Sequence, residues 1–122
     1  MNIIPVLTRF VSDIFAAAGD LQEDMSRFDR LETRLKGSAD NFLACILGSI
    51  LEDTDEFLRN APHRKEHYDI QRRRERTLIS SVGDIHFLRT QFRSREDGTY
   101  HFLLDERIWL PFFLSVKRDT KG

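Results

Sequence analysis

Apolar side chains recur at helical spacing through the first half of this chain and then give way to strand-like runs. Leu7, Phe10, Val11, Ile14 and Phe15 predict a helix over residues 6–18, ended by Gly19 and Asp20. Leu21, Met25, Phe28, Leu31 and Leu35 mark one narrow stripe over residues 21–36, with Arg27, Arg30 and Arg34 outside it, as in a surface helix laid on a partner. Gly37 suits the residue just past that helix, and Ser38 or Asp40 can cap the next one. The third helix, about residues 41–59, is apolar nearly all round in its first half: Phe42, Leu43, Cys45, Ile46, Leu47, Ile50 and Leu51. Such a helix must be buried on several sides, by the first two helices or by a second copy of the chain. Ala61-Pro62 ends or kinks it.

Residues 63–76, HRKEHYDIQRRRER, hold six basic and three acidic side chains and form either a short charged helix or a connector. Three runs rich in β-branched and aromatic residues follow, at 77–82, 85–93 and 99–104. Gly83-Asp84 and Asp97-Gly98 supply the positive-φ positions that tight turns need. The expected fold is therefore α+β. A helical subdomain spans 1–62, a basic connector 63–76 and a three-stranded antiparallel meander 77–106, with an apolar and then basic tail at 107–122.

Composition narrows the function classes. At 122 residues the chain supports one modest core. The single cysteine, Cys45, excludes an internal disulfide and a multi-cysteine zinc site; it fits a reducing cytosol and reads as a small core residue. Pro5, Arg9 and Asp13 interrupt any secretory signal, and Phe42 to Leu51 is far too short for a membrane span. Residues 1–60 carry 6 basic and 11 acidic side chains (−5), whereas residues 61–122 carry 13 and 9 (+4). That asymmetry directs any polyanion-binding reading to the second half.

One ordered set of motifs carries a family resemblance. It runs Asp55-Glu56-x-Leu58-Arg59, Arg64-Lys65-x-x-Tyr68 and Arg76-Thr77-Leu78, then Gly83-Asp84-Ile85-x-Phe87-x-Arg89-Thr90, and ends in Gly98-x-Tyr100-x-x-Leu103-Leu104-Asp105-Glu106. At those spacings residues 40–106 resemble the N-terminal part of ISLre-type insertion-sequence transposases, long catalogued as an uncharacterised protein family. The resemblance implies DNA transposition, as in a bacterial mobile element, by a metal-dependent catalytic domain of ribonuclease-H type. In that family the catalytic carboxylates lie downstream of the Leu-Leu-Asp-Glu segment, so no catalytic residue carries over and this chain is expected not to be an enzyme. Members continue past that segment into a Leu-Gly-Leu type turn, whereas here Ile108, Trp109, Leu110, Pro111, Phe112, Phe113 and Leu114 follow. The expectation is a chain truncated before the catalytic domain, or a frameshifted reading frame.

The candidate DNA-contacting residues are Arg72, Arg73, Arg74, Arg76, Arg89 and Arg93. Each guanidinium offers a fork that fits phosphate oxygens. The competing readings are a solvated linker paired with the acidic end of the third helix and, for Arg89 and Arg93, charges that guard an edge strand. Phe87, Arg89, Gln91 and Arg93 are expected on one face of the second strand, and His86, Leu88, Thr90 and Phe92 on the other. No helix-turn-helix or zinc finger accompanies the arginines, so base-specific reading is not expected. Asp53, Asp55 and Glu56 with Asp105 and Glu106 could suggest two-metal chemistry. Acidic residues facing a basic segment explain them more simply. His63 and His67 stand at i, i+4 but lack a third zinc ligand, so neither a metal nor another cofactor is expected. The expected role is a non-catalytic, cytoplasmic part of a transposase-like protein, with DNA and a second copy as partners and no small-molecule substrate. The alternative is a protein-interaction or dimerisation module with no nucleic-acid role.

Overall fold

The computed structural model describes residues 2–108. The order is α1 (Ile4–Glu23), a single 3-10 turn (Met25–Arg27), α2 (Phe28–Arg59), α3 (Pro62–His67), β1 (Tyr68–Ser80), β2 (Gly83–Ser94) and β3 (Tyr100–His101). Residues 103–108 are again helical. The strands form one sheet in the order β1-β2-β3, and β3 pairs antiparallel with β2 through Phe92–His101 and Arg93–Tyr100. The α+β architecture is as expected. The apolar run after Ile108 and the basic tail lie outside the described residues.

The described residues divide into two compact units, residues 2–50 with 77–86 and residues 51–76 with 87–108. The first unit is built on a helical hairpin. Pro5 sits in the first turn of α1, where its missing N–H has no intrahelical partner to lose. Asp24 closes α1 through its N–H to the Asp20 carbonyl, then turns its side chain to the Ser26 N–H (3.0 Å) and hydroxyl (2.7 Å). That Asx turn reverses the chain. α1 and α2 run antiparallel, since Asp20 pairs with Arg34 while Phe10 stacks on Phe42 with ring centroids 4.8 Å apart. At the far end Gly48 of α2 lies against Ile85 and the His86 carbonyl; a Cβ there would stand 2.9 Å from that oxygen. Leu78 and Ile85 are buried in this unit.

Two expectations fail here. α1 runs on through Gly19 and Asp20 to Glu23 instead of ending at them. Residues 28–59 form one unbroken helix of 32 residues, so Gly37, Ser38 and Asp40 are interior positions and not a break. Gly37 lacks the positive φ that a helix-ending glycine adopts. A glycine within a helix costs only about 1 kcal/mol relative to alanine, less than packing recovers. Lys36 and Asp40 pair across the position at 2.8 Å.

In the second unit the core is Leu58, Phe87, Phe92 and Leu104, with two buried polar side chains, Asp55 and Thr90. The segment read as a connector is structured: α3 takes its first residues and β1 begins at Tyr68, nine residues before the expected start. β3 is only two residues long, and Leu103, Leu104, Asp105 and Glu106 are helical instead of extended. Along β2 the buried positions change phase, from Ile85 and Phe87 to Thr90 and Phe92. With side chains alternating along the strand, one face is buried at Ile85 and Phe87 and the other at Thr90 and Phe92. Both glycines at the tight turns do have positive φ, Gly83 at 105° and Gly98 at 71°.

Candidate nucleic-acid interface

β1 lies at one edge of the sheet, and residues 69–75 along it are all exposed. Pairing with β2, not burial, holds that half as a strand. Its arginines therefore extend from a fixed backbone and not from a loop. Arg72 reaches across to β2, its Nε donating to Gln91 Oε1 at 3.3 Å. Arg73, Arg74 and Arg93 are exposed and have no carboxylate partner among the described residues. Arg93 lies along the Asp97–Gly98 turn, where a Cβ on Gly98 would come within 3.4 Å of its guanidinium.

Arg76 and Arg89 are placed differently. Both converge on Asp105, at 2.7 Å from Arg76 Nη1 and in direct contact with Arg89 Nη1. The Arg89 guanidinium also lies over the Phe102 ring, 3.8 Å from its centroid. Burial pulls the Arg89 pKa below the usual guanidinium value. Asp105 opposes that shift, while Arg76 and Arg74 add to it. Two guanidinium groups thus share one carboxylate, and buried Arg89 Nε and Asp105 Oδ1 have no hydrogen-bond partner among the described residues. Arg95, beyond β2, is committed to Asp69 at 2.9 Å. The six candidates therefore divide into two held by Asp105, one tied to Gln91, and three uncommitted.

The acidic end of α2 does something that sequence reasoning missed. Glu52 Oε2 accepts from the Leu88 N–H at 2.7 Å, and Asp55 Oδ1 accepts from the Thr90 N–H at 2.8 Å. Asp55 Oδ2 also accepts from the Thr90 hydroxyl at 2.6 Å, and Arg59 Nε lies 3.5 Å away. Backbone N–H groups two apart point to the same edge of a strand. The two helix carboxylates therefore satisfy the part of β2 that short β3 leaves unpaired. The only legible signal was the i, i+3 spacing of the two acids on the helix.

No three His, Cys, Asp or Glu side chains among the described residues come together in a way that could hold a metal ion. The His63 and His67 rings lie tilted against each other with centroids 4.5 Å apart, and His63 packs edge-on to Tyr68. Cys45 is not the core residue expected: it is exposed and lines an open cleft of about 510 Å³ beside Phe10, Phe42 and His86. Among the described residues no helix is long and apolar enough to cross a membrane.

A family model described as "Uncharacterised protein family (UPF0236)" matches residues 21–117, more of the chain than the motifs alone covered. Among curated proteins, similar chains come from Caldanaerobacter subterraneus subsp. tengcongensis. One UPF0236 protein is 30% identical over 114 residues, covering 93% of this chain and 24% of its own length. Two others are 28% identical over 112 residues, covering 92% of this chain and 24% and 23% of their own lengths. The printed names of these three join eleven, four and two designations respectively. The chain spans about a quarter of the length of the curated relatives it matches. No solved structure matches it.

Proposed function

The chain belongs to the uncharacterised protein family UPF0236, and we propose that it is the DNA-associated, non-catalytic N-terminal part of a transposase-like protein. The observation that carries this reading is the edge strand β1, whose Arg72, Arg73 and Arg74 are exposed on a paired strand with no carboxylate partner among the described residues. A duplex presents one negative charge per roughly 1.7 Å of axis, and arginine forks suit its phosphates. In this reading Arg72, Arg73, Arg74 and Arg93 touch phosphate, while Arg76 and Arg89, held by Asp105, keep the ribbon in shape. In this reading binding is indifferent to base sequence, because the arginine contacts are to phosphate.

The names of the relatives add support for a mobile element. We take their joined designations to be loci, so that one protein recurs at up to eleven places in a single genome, as a copied insertion sequence does. The chemistry of transposition would belong to the three-quarters of the relatives that this chain does not span.

The test is direct titration of the 122-residue chain with a labelled duplex. The reading expects binding at low salt that weakens steeply as salt rises and varies little with duplex sequence. Absence of binding at 50 mM salt would sink it.

A further inference from the structure

The α1–α2 hairpin turns one side to the strands and leaves the other bare. At 3.6 residues per turn, Ile4, Leu7, Val11 and Phe15 fall within an arc of about 80° on α1, and Leu43, Leu47 and Ile50 within about 60° on α2. Each ridge lies about 100° round its helix from the residue at the helix–helix contact, Phe10 or Phe42. The rotation has the same sense in both helices. Because the helices are antiparallel, that brings both ridges to the same side of the hairpin. Gly48, against Ile85 and His86, marks the opposite side. All seven side chains remain 39–74% exposed.

We propose that this face is the interface of a two-fold homodimer, closed as a four-helix bundle by the hairpin of a second copy. Two properties single out that occupant. The first is size. At about 200 Å² per large apolar side chain, the seven residues expose on the order of 700 Å². A stable interface needs about 800 Å² per partner, and the largest patch on a typical monomer is about 300–600 Å². The second is charge. Residues 41–51 of α2 carry no charged side chain, and residues 4–19 of α1 carry only Arg9 and Asp13. Both of those line the cleft with Asp84 and His86, on the side of Gly48. Lys36, two turns before Leu43 in the same arc of α2, is paired with Asp40 at 2.8 Å, so the face meets its own copy with little repulsion and offers little to a polyanion. In the dimer each ridge packs between the ridges of the partner hairpin, as in antiparallel bundles.

The test is sedimentation equilibrium of the full chain from 1 to 200 µM, for wild type, for the double variant Leu7→Glu/Leu47→Glu, and for Ile79→Glu as a control. Ile79 is apolar and 83% exposed but stands on β1 next to buried Leu78, so it points to the opposite face of the strand, outside the hairpin face. The proposal expects wild type at twice the 14.4 kDa chain mass. The double variant should dissociate at least ~100-fold more readily, because each glutamate enters a two-fold interface twice and is buried without a partner. Ile79→Glu should match wild type. All seven side chains are exposed, so circular dichroism should show the double variant folded. A wild-type chain that is monomeric throughout overturns the proposal, as does a dimer that survives the double substitution or is lost in Ile79→Glu.

Discussion

Replacing Asp55 with alanine tests whether α2 holds the sheet by its carboxylates. Asp55 has no exposed surface, and its two oxygens accept from the Thr90 N–H and hydroxyl while Arg59 lies alongside. Alanine removes both acceptors and leaves two donors buried at Thr90, each costing about 1–3 kcal/mol when unpaired. Arg59 also loses its counter-charge. Breaking a buried charged network by removing one partner costs about 3–5 kcal/mol, and the Thr90 contribution falls within that range. A small domain is stable by only about 5–15 kcal/mol, so the loss is roughly a fifth or more of the total. Asp55→Asn keeps one acceptor and should cost about half as much. Thr90→Val removes the hydroxyl but keeps the N–H, and should cost about 1–2 kcal/mol. A double-mutant cycle between positions 55 and 90 should then return a coupling of about 1 kcal/mol or more. The assay is urea unfolding followed by circular dichroism, with unchanged slope for every variant. An Asp55→Ala protein within about 0.5 kcal/mol of wild type would refute the reasoning.

Three further outcomes follow from the same structure. Gly37→Ala should stabilise by about 1 kcal/mol, because the site is mid-helix and a Cβ there meets nothing within 4 Å; destabilisation in thermal melts would mean that α2 breaks at this point. Gly48→Ala gains the same propensity but forces a Cβ against the His86 carbonyl, so it should lose about 1–2 kcal/mol net in the same melts. Asp97 is held below the ordinary carboxylate value by hydrogen bonds from the Thr99 hydroxyl and N–H. A depressed folded value means that its contribution is present above the unfolded pKa and is lost as pH falls through the folded one. A carboxyl NMR titration should place its midpoint below 3.8, and a midpoint at or above that value would contradict the turn geometry.

Much of the fold was legible because its signals are local. Helical periodicity marked α1 and most of α2, and Gly83 and Gly98 marked turns that only a positive φ could close. The break expected at Gly37 was wrong because a weak local preference yields inside a continuous helix of 32 residues. β1 was hidden because QRRRER has no apolar alternation; it is a strand by pairing alone. The arginines were legible as candidates but not their partners, since nothing in the spacing shows that Asp105 closes on Arg76 and Arg89 across the fold. Glu52 and Asp55 were read as answering basic side chains. Their larger role, accepting backbone N–H groups of β2, depends on a helix laid along a strand edge.

The central claim is that the exposed arginines of β1 meet DNA phosphates and those bound to Asp105 do not. The most direct measurement is fluorescence anisotropy of a labelled duplex across 50–300 mM KCl for wild type, Arg72→Ala/Arg73→Ala/Arg74→Ala and Arg89→Lys. Each phosphate contact contributes about 0.9 to the slope of log affinity against log salt, so the triple variant should lose about 3 from that slope and bind far more weakly. Arg89→Lys should keep the slope and lower the folding stability instead. A triple variant with the wild-type slope, or a wild-type chain that ignores the duplex at 50 mM salt, would contradict the account.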